Sequence, residues 1–509
     1  MNATTVLTAR GNPYAFIRKY SAYLEASLAL TATGQLIVAN ETQYVPMVMS
    51  EIAKFYALGL VNEVIYRPAS TLKNVYLTHY QSLKVKLSNF QLNVVTAIAD
   101  AARRKASDIH IAIKGERVYF KYRINGELVE IENYAADYGV RFVATLYNTM
   151  CDIAETSFQM TKGQEGRISN PLFLPELVHG VRIATTPASD GSLLVMRLLY
   201  TGDHQLTTLG FTPEQIATFQ KLMDKPYGIT IIAGPTGAGK STTLEAIMKA
   251  IAVNHGYLDK LQQGNKINIL SIEDPVEYPL SGGTQINIMG NDSGKYSRED
   301  KLKRAITGSL RLDPDVIMIA EVRDLATAQV AIDAATTGHM LWTTIHANSS
   351  FGIIERINQL GANITDVLHN QLISGLCSQR LLKVLCSNCA EPWLKARSRV
   401  DPELMLRLES LLSSDQLKLV KVRHLAGCEY CSGGIQGRNV VAEVIELNHS
   451  YFYPLLAKRR YLEAYELWLQ KGGFSIMQHS LNLLVQGLVD PQEIESQVGV
   501  INGHSRLSN

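Results

Sequence analysis

The alternation of apolar and polar residues predicts an α+β region in the first half of the chain. Residues 89–103 carry apolar side chains at helical spacing and predict an amphipathic helix. Two runs with strand character follow, Asp108–Ile113 and Arg117–Ile124, and turn signals stand at Lys114–Glu116 and Asn125–Gly126. We therefore predict a helix followed by hairpin strands.

The pattern changes after a polar, turn-rich segment that ends near Thr212. Thr212 and Pro213 predict the N-cap and first turn of a helix. Short β-branched runs then alternate with helical segments, which is typical of a parallel sheet covered on both faces. The predicted strands are Ile229–Ala233, Ile267–Ile272, Val316–Ala320 and Met340–Ile345.

Bulk composition narrows the class of protein. A chain of 509 residues has length for roughly three or four domains. Its net charge of +2 lacks the basic excess of nucleic-acid-binding proteins. No apolar run reaches the roughly 20 residues of a membrane helix, and the first residues lack the layout of a signal peptide. We therefore expect a cytosolic protein.

A glycine-rich segment supplies the first candidate chemistry. Residues 234–241 fit G-x-x-x-x-G-K-[ST] between a predicted strand and a helix-forming segment. In this context backbone N–H groups cradle a polyphosphate, Lys240 reaches the β- and γ-phosphates, and Ser241 binds Mg²⁺. The predicted nucleotide-binding residues of this loop are Gly234, Pro235, Thr236, Gly237, Ala238, Gly239, Lys240, Ser241 and Thr242.

Three further polar residues stand at the ends of predicted strands. Parallel strands bring their carboxyl ends to one edge of the sheet, where Glu273, Glu321 and His346 would meet the glycine loop. Hydrolysis of a nucleotide needs a carboxylate that orients water. We predict that Glu321 polarises the water, with Glu273 as the alternative or as the holder of a Mg²⁺-bound water, and that His346 senses the γ-phosphate.

Six cysteines include two C-x-x-C pairs. In a reducing cytosol such pairs indicate metal, and four thiolates suit a structural tetrahedral Zn²⁺. A redox dithiol is the alternative, although nothing in the surrounding sequence is typical of thioredoxin. The predicted ligands are Cys386, Cys389, Cys428 and Cys431, and the predicted buried thiols are Cys151 and Cys377.

Three motifs together resemble those of the secretion ATPases, which power type II secretion and type IV pilus assembly. Residues 271–278 resemble the Asp box, 310–324 the Walker B region and 337–348 the His box of that family. The resemblance runs from about Ala106 to the C-terminus. It implies a homo-hexamer that uses ATP and Mg²⁺ to move an inner-membrane platform protein, working at the cytoplasmic face of the inner membrane without binding nucleic acid.

The resemblance also implies roles that spacing alone leaves open. Arg182 and Arg197 match two arginines that reach the γ-phosphate when their domain closes over the nucleotide. Arg311 and His339 match nucleotide-contacting positions. The chain departs from the family at Thr307, where an arginine is usual.

One more departure from the family, one candidate replacement residue and one further match add detail to this resemblance. Ala320 replaces the usual glycine before Glu321, and Arg304 is the candidate to replace the arginine missing at position 307. The flanks of the cysteine pairs resemble the tetracysteine region that assembly and secretion motors carry and retraction motors lack, which implies extension as the direction of work.

Patterns and resemblance together predict a multidomain α/β protein built around a RecA-like P-loop ATPase domain. The predicted regions are an N-terminal docking domain (1–88), a PAS-like α+β domain that supplies arginines (89–200), a linker (201–212), the ATPase core (213–375), a tetracysteine zinc module (376–440) and a C-terminal helical region (441–509).

We predict an ATPase motor for type IV pilus assembly, and the particular residues of the His box favour a type IVb-like pilus. The alternatives are a type II secretion ATPase that powers pseudopilus assembly, a nucleic-acid translocase on the same RecA-like core, and a nucleotide-gated scaffold with negligible hydrolysis.

Overall fold

The computed structural model forms two compact units, Met1–Thr201 and Gly202–Asn509. It describes residues 6, 8, 22–31, 33–57, 59–84, 87–154, 157–201, 204–254, 267–274, 276, 278, 280, 282–288, 298–447 and 451–502. Much of the start of the predicted docking domain lies outside these residues, as do two positions of the Asp box. Within the described part of the chain, no helix combines the length and apolar character needed to span a bilayer.

The first unit opens with a three-stranded sheet in the order β1-β2-β3, in which β1 and β2 are antiparallel and β2 and β3 parallel. Leu36 and Val38 pack on one face with Phe55, whereas Ile37 packs on the other with Leu72, as strand alternation requires. The elements are α1 (Ala22–Ser27), β1 (Leu28–Leu30), β2 (Gln35–Ala39), α2 (Pro46–Ala57), β3 (Glu63–Arg67) and α3 (Ala69–Lys84).

A seven-stranded antiparallel sheet completes the first unit, in the order β6-β5-β4-β10-β9-β8-β7. The elements are α4 (Asn89–Arg103), β4 (Ala106–Lys114), β5 (Arg117–Ile124), β6 (Glu127–Ala135), α5 (Ala136–Met150), β7 (Ile153–Ala154), β8 (Gln164–Ile168), β9 (Val178–Ala188) and β10 (Gly191–Tyr200). Ser88 forms a capping box with Gln91 at the start of α4, and Asn125 and Gly126 have the positive φ of the predicted hairpin turn. The predicted α+β arrangement is confirmed.

The second unit is built on a sheet in the order β13-β12-β14-β15-β11-β16-β19. Its first six strands are parallel and β19 is antiparallel to β16. The elements up to β16 are α6 (Leu206–Leu209), α7 (Pro213–Met223), β11 (Gly228–Ala233), α8 (Lys240–Asn254), β12 (Ile269–Glu273), β13 (Gly283–Asn287), α9 (Arg298–Ser309), β14 (Val316–Ile319), α10 (Leu325–Thr336), β15 (Met340–Ile345), α11 (Gly352–Gln359), α12 (Ile364–His369) and β16 (Ile373–Leu385).

Apolar cores lie on both faces of this parallel sheet. Ile231 and Leu341 belong to a core shared with α10, α11 and α12. Ile232 and Trp342, their neighbours along the strands, belong to the opposite core with α7 and α8. The predicted parallel sheet with helices on both faces is therefore confirmed.

The rest of the chain forms the cysteine module and the C-terminal helices. The elements are β17 (Glu391–Pro392), α13 (Trp393–Ala396), α14 (Pro402–Leu411), α15 (Ser414–Leu419), β18 (Lys421–Val422), β19 (Ile435–Glu446), α16 (Phe452–Ala457), α17 (Tyr461–Gln470), α18 (Ile476–Val485) and α19 (Pro491–Gln497). β16 pairs with β11 as far as Ser378 and with β19 as far as Leu385, next to Cys386. The two strands thus run continuously from the sheet to the cysteines, and the predicted limits at 375 and 440 fall inside them.

Candidate nucleotide site and cysteine cluster

The glycine loop connects β11 to α8, as its flanking sequence predicts. Gly239 has a φ of +82°, in the left-handed region that favours glycine. A Cβ on Gly234 would lie 2.6 Å from the carbonyl oxygen of Gln379 in β16, so a side chain there would collide with the neighbouring strand. The loop therefore needs glycine at both positions for its compact turn.

Lys240 closes this loop with its own side chain. Its Nζ donates hydrogen bonds to the carbonyl oxygens of Gly234 (2.9 Å) and Pro235 (3.2 Å) and lies 3.4 Å from Nδ1 of His346. Ser241 is exposed at the start of α8. An exposed hydroxyl beside an ammonium group is the arrangement that a Mg²⁺–phosphate group requires.

Glu321 lies on the other side of His346. The Nε2 atom of His346 lies 2.9 Å from Oε1 of Glu321, and Arg323 contacts Oε2 of the same carboxylate at 2.7 Å. The contact arises because β14 and β15 are adjacent and parallel, so the residues that follow them emerge at one edge. The structure thus brings together Lys240, His346 and Glu321, which sequence reasoning had placed at this edge.

Glu273 has different surroundings. It is buried, and its Oε1 accepts hydrogen bonds from Ser271 Oγ (2.7 Å) and Gln285 Nε2 (2.8 Å). Gln285 also donates to the carbonyl oxygen of Tyr278 (2.7 Å), whose hydroxyl lies 3.4 Å from Thr242 Oγ1 at the start of α8. The carboxylate of Glu273 therefore holds the segment after β12 beside the glycine loop.

Two other predicted nucleotide residues lie elsewhere in the second unit. Arg311 lines a cleft of about 380 Å³ with Arg304 and Thr307 of α9, and no residue of the glycine loop lines it. His339 precedes β15, with Nδ1 2.9 Å from Thr337 Oγ1, at the strand end opposite His346. Six residues of strand separate the two histidines by roughly 20 Å.

Arg182 and Arg197 belong to the first unit and face each other on β9 and β10. Asp108, which is buried, accepts a hydrogen bond from Arg197 Nε at 2.9 Å, and Arg182 lies 3.6 Å from Glu165. Arg167 pairs with Arg182 on the next strand. Three arginines thus form a row across three strands; the sequence resemblance identified Arg182 and Arg197, whereas Arg167 joins them only through the pairing of β8 with β9.

The four cysteine sulfurs of the C-x-x-C pairs lie within 4.8 Å of one another. The closest distances are 3.8 Å between Cys386 and Cys428, 3.6 Å between Cys389 and Cys431, and 3.7 Å between Cys428 and Cys431. A tetrahedral Zn²⁺ with Zn–S bonds of about 2.3 Å separates its sulfurs by about 3.8 Å. The distances fit that geometry, and all six cysteines are unbridged.

Electrostatics within the cluster also favour a cation. The backbone N–H of Asn388 lowers the pKa of Cys386 to about 7, whereas burial raises the pKa of Cys389 to about 12. One thiol therefore ionises first, and its charge disfavours ionisation of its neighbours. A divalent ion among the four sulfurs would remove that repulsion, so these residues fit a structural zinc site.

Several contacts at the nucleotide edge involve residues that sequence reasoning did not assign. Arg323 contacts Glu321, Gln285 contacts Glu273, and Gln379 donates to the carbonyl oxygen of Ala238 in the glycine loop at 2.6 Å. Only Arg323 carried a signal, since it lies two residues after Glu321 in the Walker B region. The others come from neighbouring strands.

Known proteins agree with this architecture. The sequence model of the family described as "Type II/IV secretion system protein" matches residues 87–496. The type IV pilus assembly ATPase PilB of Thermus thermophilus is 30% identical over 475 residues, which cover 92% of this chain and 48% of that protein. The type II secretion system ATPase E of Vibrio cholerae is 30% identical over 401 residues, covering 78% of this chain and 73% of that protein. The chain thus spans about half the length of the Thermus relative.

Solved structures show the same fold. The pilus retraction motor PilT superposes with a TM-score of 0.54 at 20% identity, covering 81% of this chain and 97% of that one. The ATPase DotB of Legionella pneumophila superposes with a TM-score of 0.51 at 17% identity, covering 79% and 93%. The multidomain α/β fold predicted from the sequence is therefore that of these ATPases, and the resemblance to secretion ATPases is confirmed.

Proposed function

The chain belongs to the type II/IV secretion system protein family, and from this premise we propose that it is an ATPase motor for type IV pilus assembly. The relative described as a type IV pilus assembly ATPase aligns with 92% of the chain, which supports this choice. Type II secretion is the second candidate, because an ATPase E and two proteins named protein E of type II secretion systems align at 30–32% identity.

One observation carries the proposal of ATP hydrolysis. Lys240, His346 and Glu321 form a continuous chain of contacts, with Nζ to Nδ1 at 3.4 Å and Nε2 to Oε1 at 2.9 Å. A phosphate-binding ammonium, a ring that can contact both partners and a carboxylate form the constellation that phosphoryl transfer to water requires. If these three side chains formed only a structural network, nothing would require that the lysine belong to a glycine-rich phosphate-binding loop.

The chemistry follows from these contacts. When ATP binds, Lys240 would exchange the carbonyl oxygens of the loop for phosphate oxygens, and Ser241 would hold a Mg²⁺ ion whose charge would offset that of the β- and γ-phosphates. His346 then turns from Lys240 toward the γ-phosphate, and Glu321 orients the attacking water. The buried pairing of Glu273 with Ser271 and Gln285 supports a positioning role for that residue.

The remaining site assignments extend the same proposal. Arg182 and Arg197 would reach the γ-phosphate when the first unit closes on a nucleotide, and Arg311 and His339 would contact nucleotide within the assembled motor. Guanidinium groups suit this task because they stabilise charge on phosphoryl oxygens in a planar, forked geometry. Closure coupled to hydrolysis would supply the mechanical stroke.

We propose the following organisation for the whole motor. Residues 213–375 form a RecA-like core, 89–200 a PAS-like domain, and 1–88 the docking domain, while four cysteines hold structural Zn²⁺. Six copies would form a ring at the cytoplasmic face of the inner membrane and act on a platform protein. The sulfur geometry supports the zinc assignment.

Substitution Glu321→Gln tests the proposal of hydrolysis. It removes the charge that orients water and keeps the size of the side chain. We expect turnover to fall by roughly 10²–10³-fold while ADP binding is retained, as for loss of one preorganised transition-state group. The exposed Glu355 of α11 provides a matched control, and Glu355→Gln should keep native turnover.

The same assay separates the alternatives. Unmeasurable turnover in both the native protein and Glu321→Gln, with ADP bound normally, would favour a nucleotide-gated scaffold. Stimulation of turnover by DNA, with none by membranes that contain the platform protein, would favour a translocase. Either result would contradict the motor that we propose.

A further inference from the structure

Two consecutive side chains of β16, Gln379 and Arg380, contact the two loops that form the proposed nucleotide site. The glycine loop leads into α8 on one face of the sheet, and the loop after β15 leads into α11 on the other. Successive residues of a strand point to opposite faces. One strand therefore reaches both loops with neighbouring residues.

Gln379 of β16 contacts the backbone of the glycine loop. It is completely buried, and its Nε2 donates a hydrogen bond to the carbonyl oxygen of Ala238 at 2.6 Å. The same nitrogen lies 3.3 Å from the position that a Cβ on Gly239 would occupy. The side chain thus supports the turn in which the backbone N–H groups face the phosphates.

The other end of the Gln379 amide points to a specific reason for this residue. Its Oε1 is buried without a hydrogen-bond partner in the described part of the chain. Burying an amide oxygen without a partner is unfavourable, and leucine would fill a similar volume without that penalty. The glutamine is explained by the single contact that leucine could not make, the one to Ala238.

Arg380 contacts the loop that carries His346. Its guanidinium donates to the carbonyl oxygen of Asn348 at 2.8 Å, two residues beyond His346. Glu443 of β19, also buried, accepts the backbone N–H of Ser350 at 2.9 Å. Burial lowers the pKa of Arg380, and the nearby charge of Glu443 acts in the opposite direction. Arg380 and Glu443 thus contact two backbone groups of this loop, the carbonyl oxygen of Asn348 and the N–H of Ser350.

We propose that Gln379 and Arg380 are positioning residues for two different halves of the nucleotide site. Gln379 holds the glycine loop in its phosphate-binding shape, and Arg380, together with the separate contact of Glu443 to Ser350, holds the loop that presents His346 to Lys240 and Glu321. This inference rests on the proposed function. It assigns nucleotide affinity mainly to the first residue and turnover mainly to the second.

Gln379→Leu tests the first assignment. We expect the Kd for ADP to rise about tenfold, the usual effect of losing one buried hydrogen bond, and to exceed the change in kcat. The melting temperature without nucleotide should change little, because the variant loses the hydrogen bond to the carbonyl oxygen of Ala238 but also removes the unpaired amide oxygen. Gln359→Leu, a surface glutamine of α11, is the matched control and should change neither quantity.

Arg380→Gln tests the second assignment. We expect kcat to fall roughly tenfold, with a smaller change in the Kd for ADP, because a loosened loop misplaces His346. Since Arg380 acts through His346, Arg380→Gln should add less than about twofold to the defect of His346→Ala in a double-mutant cycle. Arg380→Lys, which keeps the charge, should restore part of kcat.

The results separate this inference from the proposed function. A native protein that neither binds ADP nor hydrolyses ATP would contradict the proposed function. A native protein that does both, with fully multiplicative effects of Arg380→Gln and His346→Ala, would overturn the inference. A lower melting temperature and unchanged ADP affinity in Gln379→Leu would overturn it as well.

Discussion

The two seven-stranded sheets of this protein carry their proposed functional residues in different places. In the β4–β10 sheet, α4 and α5 pack on one face, and the opposite face carries the row of Arg167, Arg182 and Arg197. In the sheet of the second unit, apolar cores lie on both faces, and Glu321 and His346 follow the ends of the strands. The proposed functional residues therefore lie on a face of one sheet and at an edge of the other.

This difference determines how readily each site can be predicted from the sequence. Residues at the end of one strand are neighbours in the chain and form a contiguous motif, such as 310–324. Residues on one face come from different strands at alternate positions, so no motif joins them. Arg182 and Arg197 are 15 residues apart and yet face each other, because a hairpin turn lies between them.

The largest expected effect concerns the end of the second sheet that carries the cysteine cluster. β16 and β19 extend to this cluster beside an apolar core that includes Leu382, Trp393 and Leu408, and a bound metal would hold the cysteine-bearing turns next to that core. Structural zinc sites contribute on the order of 10 kcal/mol in small domains, so Cys389→Ser should abolish zinc retention and increase amide exchange in the turns around residues 386–389 and 428–431, while the apolar core keeps the helices between them folded. Zinc content by elemental analysis and amide hydrogen exchange measure both.

Cys151→Ser is the matched control for this substitution. Cys151 lies after α5 in the first unit, where burial raises the pKa of its thiol to about 12. The variant should keep its zinc and its exchange pattern. Retained zinc after Cys389→Ser would contradict the assignment of Cys389 as a ligand, and loss of zinc with an unchanged exchange pattern would show that the extended strands are stable without a metal.

The second effect tests the arginine face. Arg182→Gln and Arg197→Gln should each lower kcat on the order of 10³-fold, because an arginine that stabilises phosphoryl charge has effects of that size. ADP affinity should change far less. Steady-state ATP hydrolysis and ADP titration measure the two quantities.

Lys121 provides the control on the same sheet face. It pairs with His110 and lies 3.7 Å from Glu130, outside the arginine row. We expect Lys121→Gln to leave kcat within about twofold, as for an exposed charge. An equal loss in this variant would mean that the face acts through its total charge and not through two placed arginines.

The third expected effect is a pH dependence of folding stability that arises from His479, a buried residue that contacts β19 of the second sheet. His479 Nδ1 accepts the N–H of Ala442 at 3.1 Å, and burial lowers the pKa of His479 to about 4. The unfolded chain binds the proton near pH 6.5, so stability is complete above that pH and decreases as the pH falls toward 4, by roughly 3 kcal/mol. Urea unfolding at several pH values measures the slope, which His479→Asn should remove.

His110, on the polar face of the first sheet, is the counterpart. Burial and Arg123 lower the pKa of His110 too, but the side chain is only partly buried. His110→Asn should therefore change the slope in the same direction by a smaller amount. Equal slopes for the two variants would contradict the idea that only the second sheet is closed on both faces.

The smallest expected effect concerns the N-terminal caps of α4 and α7, two helices that pack on the seven-stranded sheets of their own units. Ser88 and Thr212 form capping boxes at α4 and α7, each with a glutamine at the third helical position. Ser88→Ala and Thr212→Ala should each reduce stability by about 1 kcal/mol. Hydrogen exchange of the two helices should show each loss within its own unit. A loss shared by both units would mean that they unfold together.

The sequence by itself determined the elements and the motifs that are local in the chain. Hydrophobic periodicity, the capping residues and the Asn125–Gly126 turn predicted helices and strands that the structure contains. The glycine loop, the acidic strand ends and the cysteine pairs were legible because each is a short segment with characteristic chemistry. Parallel strands that end at one edge then brought Lys240, Glu321 and His346 together, as predicted.

Only the tertiary structure decided which side chains hold these groups in place. Lys240 and His346 are 106 residues apart, and Gln379 contacts Ala238 across 141 residues. Strand order, register and alternation set such contacts, and none of these leaves a pattern in a single sequence. The buried pairing of Glu273 with Gln285 and the alignment of Arg167 with Arg182 have the same origin. Short segments of the chain specify the chemical groups of the site, whereas the contacts that hold those groups in place come from strands that become neighbours only when the sheet forms.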